Sequence, residues 1–283
     1  SCVGRCSLTG ALPVLSAAGV STSVIPTALL STHTGEFTGY THLDLSDQLL
    51  PIARHIATLN LQWDALYSGY LASPAQARMV EEIIRLLATP QTHLFVDPAF
   101  ADNGKLYSLM DAGMPLAMRQ LCSHARTITP NLTEACLMLG LPWRKPTMEF
   151  ISGLTRQLAA LGPRNVIVTD VAYDAEHTGV AVYQADADEE RYFAKPRYPG
   201  VFHGTGDVLA SFLLGALLCE LPLFDAVTLA LDCTQRSIAF TLEEGQPLRY
   251  GVQFEREMPA YWAGLKRQQR KNRKHWITAH RGQ

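Results

Sequence analysis

The chain has 283 residues, 47% of them hydrophobic and 18% charged, with a formal net charge of −2. Such a composition describes an ordinary globular protein of one or two domains and excludes collagen, coiled coil, mucin-like stalk and bulk disorder. A chain of this length buries about 75% of its unfolded surface, so it needs no disulfide or metal staple.

In chain order, the apolar periodicity predicts a helix over Leu8–Ala18, a strand over Thr22–Thr27 and a helix over Ser46–Leu59. A strand at Ala65–Ser68 leads to a helix over Pro74–Ala88. In that helix Val80, Ile83, Ile84 and Leu87 share one face, and Ser73-Pro74 supplies an N-cap followed by proline at the first helical position. Then come a strand at His93–Val96, a helix at Asp111–Ser123, a strand at Arg126–Thr129 and helices at Leu132–Leu139 and Thr147–Leu161. Strands at Asn165–Thr169 and Gly179–Tyr183 precede helices at Asp207–Cys219 and Phe224–Thr241. Phe95-Val96 and Val166-Ile167-Val168 are apolar on both faces, as parallel strands are. The alternation predicts an α/β fold, with a mostly parallel central sheet flanked by helices on both faces. Residues 1–262 are expected to form one domain, followed by a basic tail over 263–283.

The most apolar stretch, Val208 to Leu231, is interrupted by Glu220, Pro222 and Asp225, so its longest run is too short to cross a bilayer core. No membrane partner is expected. No charged and apolar leader opens the sequence, so none is expected to be removed. Cys2, Cys6, Cys122, Cys136, Cys219 and Cys233 are scattered, with no CxxC pair, and read as reduced thiols of a cytoplasmic protein. Seven of the 24 Lys and Arg residues lie from Lys266 onward, with no Asp or Glu among them. This block reads as a solvated terminus rather than a nucleic-acid patch.

In an open parallel sheet the ligand site lies beyond the carboxyl ends of the strands. That rule directs attention to Thr34-Gly35, Gly69-Tyr70, Asp97-Pro98, Thr129-Pro130-Asn131 and Thr169-Asp170. Another signal is His203-Gly204-Thr205-Gly206-Asp207 at the start of an apolar helix. Two glycines allow close backbone approach, and the first free N–H groups of the helix favour an anion. A carboxylate there makes sense if it accepts a proton from a hydroxyl attacking phosphorus. The same letters also make a plain helix start with an acidic first turn. There is no Walker A loop, because no Gly-Lys-Ser/Thr follows. Asn131 and Glu134 lie three apart, suited either to holding water around magnesium or to capping a helix. Asp97-Pro98, with Asp102 beyond, reads as a metal or phosphate contact or as turn chemistry.

These motifs taken together, in this order, resemble the ribokinase superfamily. Ser31-Thr32-His33-Thr34-Gly35 and Ser68-Gly69-Tyr70 are similar to pyridoxal kinases. The run Ala101 to Tyr107, with Met118-Arg119 and Leu121-Cys122, is most similar to the bacterial pyridoxamine/pyridoxal kinase branch. The resemblance extends to about Trp262 and implies ATP-dependent phosphorylation of the 5′-hydroxymethyl group of a B6 vitamer. By position it implies Asp207 as catalytic base, with the amides of Gly204, Thr205 and Gly206 on the transferring phosphoryl group. Asp97, Asn131 and Glu134 would organise magnesium through its waters, and Thr169 would approach the nucleotide phosphates. Thr34, with Val3 and Tyr70, would contact the pyridine ring. His33 would be a further ring contact or a structural histidine at the glycine turn. Lys195 and Arg197, in Phe193–Phe202, would form a flap over ATP or remain solvated. The resemblance also implies a homodimer and leaves room for a monovalent cation.

Two features depart from that family. The sequence is expected to open, at Ser1-Cys2-Val3, just beyond the family's first strand, and Asp170 stands where some relatives have a small hydroxyl residue. Hydroxymethylpyrimidine kinase is the neighbouring alternative, since it shares the Gly-Thr-Gly-Asp logic. A sugar kinase and a non-catalytic pyridoxal phosphate binder are more distant ones.

Overall fold

A computed structural model describes residues 1–107 and 110–267. The helices in chain order are α1 (Leu8–Ala17), α2 (Ser46–Thr58), α3 (Pro74–Leu87), α4 (Met114–Ser123), α5 (Leu132–Met138), α6 (Met148–Ala159), α7 (Thr205–Leu218) and α8 (Leu223–Glu243). The strands are β1 (Ala28–Leu30), β2 (His42–Asp44), β3 (Ala65–Ser68), β4 (His93–Val96), β5 (Ala101–Asp102), β6 (Lys105–Leu106), β7 (Thr127–Ile128), β8 (Asn165–Val168), β9 (His177–Gln184) and β10 (Glu189–Pro196). Residues 258–267 are also helical. The chain divides into two compact units. One comprises Ser1–Ser23, Ser31–Tyr40 and the chain from Pro199, and the other Val24–Leu30 and Thr41–Tyr198.

The second unit holds a six-stranded sheet in the order β10-β9-β8-β7-β4-β3. β3, β4, β7 and β8 run parallel, while β9 is antiparallel to β8 and β10 to β9. The sheet is therefore mixed but mostly parallel. In β8, Val166 and Val168 on one face and Ile167 on the other are all buried, which explains the unbroken apolar run in its sequence. Val96, Ile128, Val166 and Val168 pack with Met118, Leu121, Ala135, Ile151, Leu154 and Leu158 from α4, α5 and α6 into one core. In α3 the Ser73 hydroxyl accepts the Gln76 N–H, as its N-cap role requires.

The expected strand at Thr22–Thr27 is absent; residues 21–26 have no regular structure. β-branched residues favour strands only where a partner exists, and Pro26 removes one N–H from the stretch. The chain pairs two residues later instead, where β1 runs antiparallel to β2. This ribbon is tied to α3 by the buried Gln76 side chain, whose Nε2 donates to Thr27 O, Asp44 Oδ1 and Ser46 Oγ. The segment from Phe193 carries a strand that the sequence did not predict. Phe193 to Pro196, including Lys195, belong to β10, because a hairpin partner in β9 is available to them.

The first unit is built on α1, α7 and α8. From Val208 to Ala216 every residue of α7 is buried, so the helix is apolar all round. Tyr261 lies across α7, its hydroxyl donating to Phe212 O at 2.7 Å. Gly215 makes room for it, since a Cβ there would sit 2.5 Å from the Tyr261 hydroxyl. No helix among the described residues is long and apolar enough to cross a membrane. The basic tail beyond Arg267 lies outside the described residues.

Candidate active site

In the first unit the site is built around the start of α7. Gly204 is the N-cap, with φ 74° in the left-handed region. A Cβ at Gly204 would lie 2.4 Å from Arg5 O and 3.0 Å from Cys6 Sγ. Both the dihedral and the close approach therefore require glycine. Thr205 Oγ1 donates to Phe202 O, fixing the entry of the chain into the helix. The amides of Thr205, Gly206 and Asp207 belong to the first turn, where no intrahelical acceptor exists for them.

Asp207 lies in that turn and is partly enclosed. Its Oδ2 accepts the Ser7 N–H at 2.8 Å, across 200 residues of sequence. Burial lifts the carboxyl above its ordinary value, and the Ser7 N–H pulls the other way. The result is a carboxylate of enhanced basicity, oriented by a backbone amide, beside a turn of free N–H groups. The nearby Cys6 thiol is pushed up to about 12 by its own burial and by the charge of Asp207, which makes it inert as a nucleophile.

The segment carrying Thr34 belongs to the same unit. Val3 forms an isolated parallel bridge with Thr32, its N–H donating to Ser31 O. Thr34-Gly35 thus follow a single bridge and not a strand of the large sheet. Thr34 and Val3 are exposed. The His33 ring is spent within the chain: Nε2–H donates to Arg249 O at 2.5 Å, and Nδ1 accepts the Gly35 N–H at 3.1 Å. Burial lowers its pKa. His33 is therefore neutral with its proton on Nε2, and it serves the turn.

In the second unit the carboxyl ends of β3, β4, β7 and β8 lie along one edge of the sheet, as parallel pairing demands. This brings Gly69-Tyr70, Asp97, Thr129 to Asn131 and Thr169 onto the same edge. Asp97 is buried and its Oδ1 accepts the Thr129 hydroxyl at 2.8 Å. Asn131 bridges Thr169 in parallel register, while Thr169 N–H donates to Pro130 O. Asn131 and Glu134 form a capping box on α5. Glu134 is 2% exposed; its Oε1 accepts the N–H groups of Phe100 and Ala101 and its Oε2 that of Asn131. Asn131 Nδ2 donates to Ala101 O. Burial, then the neighbouring Asp97 charge, raises the Glu134 carboxyl well above its ordinary value. The capping reading is thus present in full.

Asp97, Asn131 and Glu134 carry oxygen donors, the kind that magnesium takes. No cluster of three His, Cys, Asp or Glu that would ligate a metal directly occurs among the described residues. The donor set fits a hydrated ion instead: two carboxylates that repel each other favour a nearby cation, and magnesium keeps several of its waters. Asp170 is exposed and has a left-handed backbone, φ 56°.

Sequence reasoning missed Ser7, whose amide orients Asp207, and Arg5, whose carbonyl fits the bare Gly204. Neither has a local signal, because each acts through its backbone on a residue about 200 positions away. Thr129 as the partner of Asp97 was missed for the same reason, the two being joined only by strand pairing.

Comparison with known proteins sets this geometry in a family. A family model described as phosphomethylpyrimidine kinase matches residues 11–250. The fold is similar to the crystal structure of a Bacteroides thetaiotaomicron protein in its orthorhombic form with pyridoxal, with TM-score 0.88, 34% identity and coverage of 92% of this chain and 91% of that one. It is similar to pyridoxal kinase from Lactobacillus plantarum, with TM-score 0.85, 32% identity and coverage of 93% and 94%. In sequence it is 28% identical over 244 residues to a pyridoxine/pyridoxal/pyridoxamine kinase of Bordetella pertussis, covering 83% of this chain and 84% of that one. The likenesses carry the ribokinase-like α/β fold that the motifs implied, and the chain belongs to the phosphomethylpyrimidine kinase family.

Proposed function

We propose that this kinase transfers the γ-phosphoryl group of ATP to the 5′-hydroxymethyl group of a B6 vitamer: pyridoxal, pyridoxamine or pyridoxine. The observation that carries the reading is the Asp207 carboxylate, held by the Ser7 amide in the first turn of α7 beside Gly204, Thr205 and Gly206. The likeness to a structure with pyridoxal bound supports the ring substrate.

The substrate hydroxyl oxygen attacks the γ-phosphorus, the bond to the bridging oxygen of ADP breaks, and the hydroxyl proton passes to Asp207 Oδ. Its raised basicity suits the role, since the hydroxyl becomes acidic only as the P–O bond forms. The amides of the 204–206 turn offer hydrogen bonds to the charge that develops on the phosphoryl oxygens. Thr34, Tyr70 and Val3 contact the pyridine ring, with His33 holding the Thr34 turn. Thr169 approaches the nucleotide phosphates. Asp97, Asn131 and Glu134 would hold a hydrated magnesium ion, which would supply neutralising charge on the ATP oxygens. A monovalent cation, a homodimer and a cytoplasmic location complete the proposal.

The family description favours one second reading, hydroxymethylpyrimidine as acceptor. ADP release with magnesium and ATP, assayed separately with pyridoxal, pyridoxamine, pyridoxine and hydroxymethylpyrimidine, separates the two. Turnover on a pyridine, lost in Asp207→Asn, supports the proposal; turnover on the pyrimidine alone replaces it with the second reading. A change in pyridoxal absorbance with no ADP released identifies a non-catalytic binder.

A further inference from the structure

His203 belongs to the motif at the start of α7, yet phosphoryl transfer as derived above gives it no role. Its ring stacks on that of His33, with centroids 4.7 Å apart and planes 36° from parallel. It also fills the space beside Gly35: a Cβ there would lie 2.5 Å from His203 Cε1 and 2.8 Å from Nδ1. His33 cannot swing aside, because both its ring nitrogens are hydrogen-bonded, one to Arg249 O and one to the Gly35 amide. Glu36, held at φ 59°, brings its Oε1 to 3.7 Å from His203 Nε2, a nitrogen that is buried and makes no hydrogen bond. The 33–36 turn is thus closed around the His203 ring, and the next residue is the bare N-cap of α7.

We infer that His203 is a positioning residue: its ring keys the turn that carries Thr34 to the turn that carries Asp207. This rests on the proposed kinase reading, in which Thr34 meets the vitamer and Asp207 its hydroxyl. Both turns then move as one body, so a vitamer seated against Thr34 presents its hydroxyl to Asp207 without further adjustment. A displacement of about 1 Å at such a point costs up to about 100-fold in rate. The glycine at position 35 follows from the same contact, since its backbone angle does not demand glycine and only the ring excludes a side chain.

A double-mutant cycle tests the inference, with steady-state kinetics on pyridoxal and on ATP for wild type, His203→Ala, Gly35→Ala and the double variant. His203→Ala is expected to raise the pyridoxal KM and lower kcat, each by about 10-fold, with the ATP KM held within about two-fold. A purely structural loss lowers the active fraction and the melting temperature and leaves both KM values alone. Gly35→Ala is expected to damage the wild type but to add nothing in the His203→Ala background, where its Cβ has room. His203→Phe keeps a ring in the slot and is expected to hold the pyridoxal KM within about three-fold, which covers the case of a His203→Ala chain that does not fold. An unchanged pyridoxal KM in His203→Ala, multiplying losses in the double variant, or a His203→Phe no better than His203→Ala would overturn the inference. Wild-type protein without turnover on any vitamer refutes the kinase reading itself, before any variant is compared.

Discussion

At the scale of single residues, position 204 is held both by its left-handed backbone and by close neighbours. Gly204→Ala must hold a left-handed φ and push a methyl group against Arg5 O, at a cost of at least about 2 kcal/mol. A urea titration should register that loss together with a collapse of turnover; an alanine variant of native stability would contradict the close approach. Asp207→Ala should behave in the opposite way. It removes a partly desolvated carboxylate, leaves the fold intact and lowers kcat by about 10²- to 10⁴-fold, as expected for loss of a general base. Wild-type turnover in that variant would end the role assigned to it. Both residues were legible in the sequence, since a glycine pair before an acidic helix start is a local pattern. The partners that make the pattern work, Arg5 O and Ser7 N–H, were not, because backbone groups leave no signature in the letters.

At the scale of elements, β3, β4 and α3 were legible nearly to the residue, each having strong periodicity and a marked boundary. β1, β2, β5, β6 and β10 were not. They are short or polar, and they exist because a partner strand is near, a fact that pairing alone determines. Asn131 and Glu134 show how one spacing serves two purposes. The capping box is complete, and Glu134 also anchors the amides of Phe100 and Ala101 beyond β4. Glu134→Ala leaves three N–H groups without their acceptor and should cost about 3 kcal/mol by chemical denaturation. Glu134→Gln, which removes the charge, should raise the magnesium concentration needed for half-maximal rate. An unchanged magnesium titration would confine Glu134 to its structural part.

At the scale of the whole molecule, the sheet sets a pH dependence of stability. His93 on β4 is largely enclosed beside Thr127, and burial, with the nearby Arg126 charge, lowers its pKa from 6.5 to about 4. The unfolded chain therefore binds a proton that the folded chain refuses between those two values, so this contribution declines as pH falls from 6.5 to 4. Glu134 and Asp207 act with the opposite sign, since their raised carboxyl pKa values favour the folded state as pH falls. The His93 share is isolated by comparing wild type with His93→Gln. Between pH 7 and 4.5 the wild type should lose about 2 kcal/mol more than the variant. Parallel losses would remove His93 from the account. The α/β class was legible at this scale because alternating apolar runs and amphipathic helices permit few architectures. The division of the chain into two units was not, since each unit draws on separate stretches. The central claim is a chemical one and is tested most directly by its product. Mass spectrometry of pyridoxal incubated with magnesium, ATP and the full chain should find pyridoxal 5′-phosphate, and should find none with Asp207→Asn. Unmodified pyridoxal in the wild-type reaction, or product formed equally by both proteins, would contradict the account.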